Sequence, residues 1–255
     1  DQLAFSWLKE PMPERINLVY SCYSESESWK IAGEKFMELR VPVPNTADGI
    51  KIVHKGVKLT DSDSQFVKNL LKEYLDKEAG KDAETRRPFH LSLLGEVIQD
   101  MGRFDDIKTE IKPLLVDQCE DLVKKGLDCS TKALVNIGSD GEVLKMILCL
   151  ISCTQYGLEI GDKDSELSRC VKKAQTKMLL DCTDMEVSNA VSLLSPFTRK
   201  IGLKQRRHTP RNDYVLQFVM REYMGSDTRG AERKKIALRL LVETFQEGLN
   251  VDWRQ

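Results

Sequence analysis

Arg199, Lys200, Lys204, Arg206, Arg207 and Arg211 fall within thirteen consecutive residues that include no acid. Cations at this density, between two predicted helices, create a local field that attracts phosphates, anionic lipid heads or an acidic protein surface. Lys234 and Lys235 add to the set from early in the last predicted helix. The helix dipole disfavours positive charge there, so helix stability does not account for them. These eight residues are the expected polyanion-binding site, with Arg206, Arg207 and His208 at its tip, and RNA is the favoured polyanion. The competing reading is a solvated connector that balances the acidic remainder of the chain. Tyr214, Phe218 and Tyr223, in the adjoining helix, are candidates for stacking on bases. The i, i+4 spacing of the first two fits a buried stripe better.

The charge asymmetry extends beyond the cluster. Residues 199–242 hold twelve Lys or Arg against four acids, a net of +8. The chain as a whole has 39 cations and 40 acids, so the remainder carries −9. The molecule is therefore an electrostatic dipole along its sequence.

Other chemistry is less well supplied. Cys149 and Cys153 stand one helical turn apart, and Cys170 falls in the next predicted helix, but neither CxxC nor HExxH occurs. None of the three histidines, His54, His90 and His208, lies at ligand spacing from a cysteine, so thiols packed in the core are expected in place of zinc. No GxSxG, GxGxxG or GxxxxGK[ST] occurs, and no local signature marks a nucleophile and its base. The sequence thus names no catalytic residue, metal or cofactor. Gly138–Gly141 and Gly161–Asp164 read as helix-capping turns, because Asp162 and Asp164 lack the other ligands of a calcium loop. The seven cysteines, odd in number and mostly at apolar positions, suit free thiols in a reducing compartment. The longest strongly apolar run, Met146–Ile151, is far shorter than the ~20 residues that span a bilayer, and no leader pattern opens the chain. An intracellular location, cytoplasmic or nuclear, is expected.

The elements that must position the basic cluster are mainly helical. Phe66, Val67, Leu70, Leu71, Tyr74 and Leu75 predict a helix closing near Gly80, with Ser62 and Gln65 as its capping box. Pro88 suits the start of a second helix carrying Leu94, Val97, Ile98 and Met101. The apolar pattern from Ile107 predicts a third helix, split near Pro113 and ending at Gly126. Glu142–Tyr156 is apolar nearly all round and predicts a central helix with Met146, Ile147, Leu150 and Ile151 buried. Helices over 165–180, 184–194, 212–224 and 231–247 follow. The first sixty residues read differently. Arg15–Tyr23, the alternating Met37, Leu39, Val41 and Val43, and Ile50–Leu59 predict a small antiparallel sheet, with a turn over Asn45–Gly49.

The expected fold is mainly α: a multi-helix, bundle-like body with a small N-terminal antiparallel β region. Residues 1–60 form that region, 61–198 the helical core, and 199–255 a basic C-terminal helical segment packed on the core. A helical body with a basic surface is similar in broad outline to the helical shell proteins and nucleoproteins of negative-strand RNA viruses, a likeness carried by no motif. The leading functional reading is a non-enzymatic interaction or assembly protein that binds RNA or another polyanion. The alternative is a protein-binding adaptor or antagonist, or a self-associating protein, using an apolar helical groove or an edge strand near Met37–Val43. An enzyme with a site assembled from distant residues is the third reading.

Overall fold

The computed structural model describes residues 43–55, 57, 61–77, 87–101, 111–161, 164–202 and 206–252. Among them lie nine α-helices: α1 (Thr46–His54), α2 (Asp61–Lys77), α3 (Pro88–Met101), α4 (Cys119–Asn136), α5 (Gly141–Ser152), α6 (Glu166–Thr176), α7 (Asp184–Leu193), α8 (Asp213–Phe218) and α9 (Thr228–Asp252). Three short strands, β1 (Leu158–Glu159), β2 (Thr198–Ile201) and β3 (Arg207–Pro210), form an antiparallel sheet in the order β1-β3-β2.

Polar side chains set many of the helix starts by accepting from amides that have no intrahelical partner. Asp140 accepts from the Glu142 amide at 2.9 Å to open α5. Ser165 accepts from Ser168 to open α6, whereas Asp164, expected as a capping residue, lies one position outside the cap. Thr183 and Glu186 exchange hydrogen bonds in a capping box before α7. Asn212 accepts from the Val215 amide before α8.

The all-round apolar character of α5 has a direct explanation. Helices α4, α7 and α9 and strand β3 all pack on it. Met146, Ile147, Leu150 and Ile151 are buried, as their spacing predicts. The second half of the chain adds Phe197, Val215, Val219, Ala237 and Leu240 to the same core.

Three predicted elements differ. The small sheet is not N-terminal; it lies in the C-terminal half and contains the basic cluster. Of the predicted N-terminal strands, those over 15–23 and 37–42 fall outside the described residues. Val43 is exposed and outside any strand, and Ile50–His54 is helical. The predicted turn at Asn45 is a helix start, since the Asn45 side chain accepts from the Asp48 amide at 2.9 Å. Helix α1 crosses α3 at Gly95, where a Cβ would stand 2.5 Å from the Val53 carbonyl oxygen. The cap and this close approach outweigh the β propensity of the Ile and Val residues.

The second difference is Gly126, which lies inside α4 and does not end it. A Cβ there would meet the Phe197 ring at 2.9 Å, so the glycine makes room for an aromatic arriving from seventy residues downstream. The third is the last part of the predicted 212–224 helix. It continues as a π-helical turn, Val219–Tyr223, in which the Met224 amide reaches back to the Val219 carbonyl. Arg233 stabilises its end by donating to the Tyr223 carbonyl at 2.7 Å and to Glu142 at 2.8 Å. No described helix is long and apolar enough to cross a membrane.

Leu150 is 1% exposed at the centre of this packing. Leu150→Ala is expected to destabilise the protein by about 2–5 kcal/mol, combining lost transfer energy with an unfilled cavity. Denaturant unfolding measures this directly, and a cost below about 1 kcal/mol would place α5 outside the core.

Candidate functional site

The basic segment is a β-hairpin. Thr198 pairs with Pro210, Arg199 with Thr209, Lys200 with His208 and Ile201 with Arg207. Strand β3 is the middle strand, because Leu158 and Glu159 pair with its other edge. Gly202, at φ +85, supplies the left-handed backbone at the turn. His208 and Thr209 of β3 are both buried, and Arg207 and Pro210 at its ends are partly buried.

Two hairpin arginines are built into the structure. Arg207 Nη2 donates to both carboxylate oxygens of Glu166, at 2.9 and 2.8 Å. Its Nε donates to the Tyr156 carbonyl at 3.1 Å, and its Nη2 also reaches the Gly157 carbonyl at 3.1 Å. Glu166 is buried, so this pairing compensates a charge withdrawn from water. Arg211 forms a fork on Glu96, with the Nη2 to Oε1 bond at 2.7 Å. It also donates to Ser92 at 3.0 Å, and its guanidinium lies 5.9 Å from the centre of the Phe89 ring. Arg221 pairs with Glu120 and Arg233 with Glu142. At least four of the twelve cations in residues 199–242 thus engage acids from earlier in the chain.

Arg199, Lys200, Arg206, Lys234 and Lys235 are exposed. Lys204 lies outside the described residues. Arg199 Nε donates to Thr209 Oγ1 across the hairpin at 3.3 Å. No carboxylate among the described residues pairs with Arg199, Lys200, Lys234 or Lys235.

Arg199 also forms one wall of an open cleft of about 340 Å³. Residues Ser152–Gln155, at the end of α5, make one side, and Thr209, Asn212, Asp213 and Leu216 complete it. The Ser152 hydroxyl oxygen is buried with no hydrogen-bond partner among the described residues. Lys234, on α9, is not part of the lining; its charge opposes the rise that burial produces in the Cys153 thiol.

The sequence candidates for stacking do not project from this surface. Phe218 and Tyr223 are buried and meet edge to face at 5.4 Å, while Tyr214 is partly buried and stacks on Phe89 at 6.2 Å. The aromatic that sequence reasoning missed is Tyr156, beside Gln155 of the cleft, 73% exposed. Its surroundings in sequence carry no cation, so only the fold brings it to the hairpin.

The thiols belong to the packing. Burial pushes Cys149 up to about 12 and raises Cys153, whose sulfur lies 3.6 Å from that of Met224. Cys170 points to Thr244 and the Leu240 carbonyl. The six described cysteines are free thiols, and among the described residues no cluster of three or more His, Cys, Asp or Glu side chains is arranged to hold a metal. No protein-family model matches the chain, and no solved structure matches it.

Arg207→Ala is expected to cost about 1–3 kcal/mol by leaving Glu166 without its partner. The lower part of the buried-pair range applies because the arginine side chain is 37% exposed. Adding Glu166→Gln should recover part of the loss, which a double-mutant cycle by thermal unfolding would show. His208 is held below its ordinary pKa of 6.5, first by burial and then by Lys200. His54 is lowered in the same direction, by burial and then Lys68. The unfolded chain therefore takes up protons at a higher pH than the native one. The contribution is fully present above about pH 6.5 and is lost as the pH falls through the lower native values. Melting temperature should drop in that interval, and His208→Gln should flatten the drop.

Proposed function

We propose that this protein binds a polyanion, single-stranded RNA in the first place, on the face formed by the β2-β3 hairpin and the cleft beside it. The observation that supports the reading is the arrangement at the cleft. Arg199 stands in its wall with no described carboxylate paired to it, and Lys200 and Arg206 are exposed on the same hairpin. Such a surface attracts phosphates through counterion release. Asp213, inside the cleft, repels phosphate and accepts hydrogen bonds from amino groups. Phosphates at the rim and a base edge in the cleft satisfy both charges, which favours a strand with splayed bases over a duplex or a lipid surface. Arg207 and Arg211 position the hairpin, and their charges are largely answered by Glu166 and Glu96.

A protein-binding adaptor is the second reading. One observation favours it: Leu238, Val242 and Phe245, at i, i+4 and i+7 on α9, are 43%, 53% and 39% exposed. An apolar ridge of this spacing fits a groove on a partner.

The two readings separate in a salt titration followed by the anisotropy of a labelled RNA strand. Arg199→Ala with Lys200→Ala should weaken binding and reduce the slope of log affinity against log salt by about 1.4, each single-strand phosphate contact being worth roughly 0.7. Stability should stay within about 0.5 kcal/mol, because both side chains are exposed. Unchanged affinity and slope would mean that these cations only balance the acidic body.

A further inference from the structure

We infer that Tyr156 is a base-stacking platform, so that the ligand of this face is a nucleic acid with unpaired bases. The inference rests on the RNA reading above and adds what cations alone do not specify. Positive charge recognises any polyanion, whereas an exposed ring adds affinity only for a ligand that carries flat aromatic groups.

Tyr156 stands in the turn between α5 and β1, 73% exposed. Leaving so large an aromatic surface in water contributes nothing to the fold, and its hydroxyl has no hydrogen-bond partner among the described residues. The backbone carrying it is firmly held. The Tyr156 carbonyl accepts from Arg207 Nε at 3.1 Å, and the neighbouring Gly157 carbonyl accepts from Nη2 of the same guanidinium. That guanidinium is in turn fixed on the buried Glu166. Gly157 adopts φ +76, and a Cβ there would come within 2.9 Å of the His208 carbonyl oxygen, so the turn lies directly against β3. Leu158 then enters the sheet opposite His208.

The result is an exposed ring on a turn hydrogen-bonded to β3, one residue from the cleft-lining Gln155 and tied through β3 to the hairpin that bears Arg199, Lys200 and Arg206. A stacking platform needs this combination. The ring must be free on its face and fixed at its base, so that little conformational entropy is lost when a base lands on it. Cations beside it hold the strand by its phosphates, while the ring takes a base. Since every base has a π-face, the preference is for unpaired bases and not for one sequence.

The test compares three ligands on the full chain: a short single-stranded oligoadenylate, the same sequence in duplex form, and heparin, a polyanion without bases. Tyr156→Ala should weaken oligoadenylate binding by about 5- to 150-fold, the range measured for one stacked base. Duplex and heparin binding should change little. Tyr156→Phe should bind like the native protein, since stacking uses the ring and not the hydroxyl. Tyr156→Trp should retain binding, and its added emission, taken as the difference from native protein, should be quenched by oligoadenylate and not by heparin. Equal weakening for all three ligands would overturn the inference, showing that Tyr156 only shapes the cationic surface. So would undiminished oligoadenylate binding in Tyr156→Ala while Arg199→Ala with Lys200→Ala weakens it, an outcome that leaves the RNA reading standing. Native protein that binds heparin but no RNA strand would overturn both.

Discussion

The Arg207 guanidinium joins segments that lie forty to fifty residues apart in the chain. One planar group meets the Glu166 carboxylate at the start of α6 and the carbonyls of the turn after α5, while its own backbone forms the middle strand of the sheet. A lysine would supply one point charge there, whereas the arginine fork reaches three acceptors in fixed directions. Much of the candidate surface depends on it. The hairpin gains a third strand because the turn after α5 is held against β3, and the Gly157 backbone is what permits that approach. The same contact fixes the edge of the cleft and the position of Tyr156.

A broader electrostatic pattern surrounds this interaction. Arg207, Arg211, Arg221 and Arg233 reach Glu166, Glu96, Glu120 and Glu142, so the charge asymmetry along the sequence is partly cancelled within the folded molecule. The partly buried pairs of Arg207 and Arg211 hold elements in register as well as balancing charge, whereas Arg221 and Glu120 meet at the exposed surface. Arg233 shows both roles: it joins α9 to α5 and satisfies a carbonyl at the end of the π-helical turn. Among the described residues, Arg199 and Lys200 on the hairpin and Lys234 and Lys235 on α9 pair with no carboxylate. Because α9 starts at Thr228, earlier than its sequence pattern suggests, Lys234 and Lys235 lie beyond the first turn, where the helix dipole has little effect on them.

Much of the helical body was legible in the sequence. The apolar spacing of 66–75, the proline at 88 and the all-round apolar run at 146–151 predict α2, α3 and α5, because a 3.6-residue period survives any arrangement of the neighbours. The basic cluster was equally visible as composition. The fate of α1 was not, since Ile and Val at 50–53 suit strand or helix, and the outcome rests on Gly95 accepting the Val53 backbone from another helix. Gly126 misleads for the same reason: its lack of a side chain serves Phe197, a residue remote in sequence.

The sequence by itself determined that positive charge gathers between residues 199 and 211 and that a helical body with an apolar centre accompanies it. Both follow from residue type and local period, which need no partner to be read. Only the tertiary structure decided that this segment is a hairpin, because each strand is too short to show a period and is held by pairing with the other and with β1. Only it decided which cations are spent on internal carboxylates and which stay exposed, since that depends on acids up to 115 residues away, as with Arg211 and Glu96. Tyr156 is the clearest case. Its backbone is tied to β3 by an arginine fifty-one residues later in the chain.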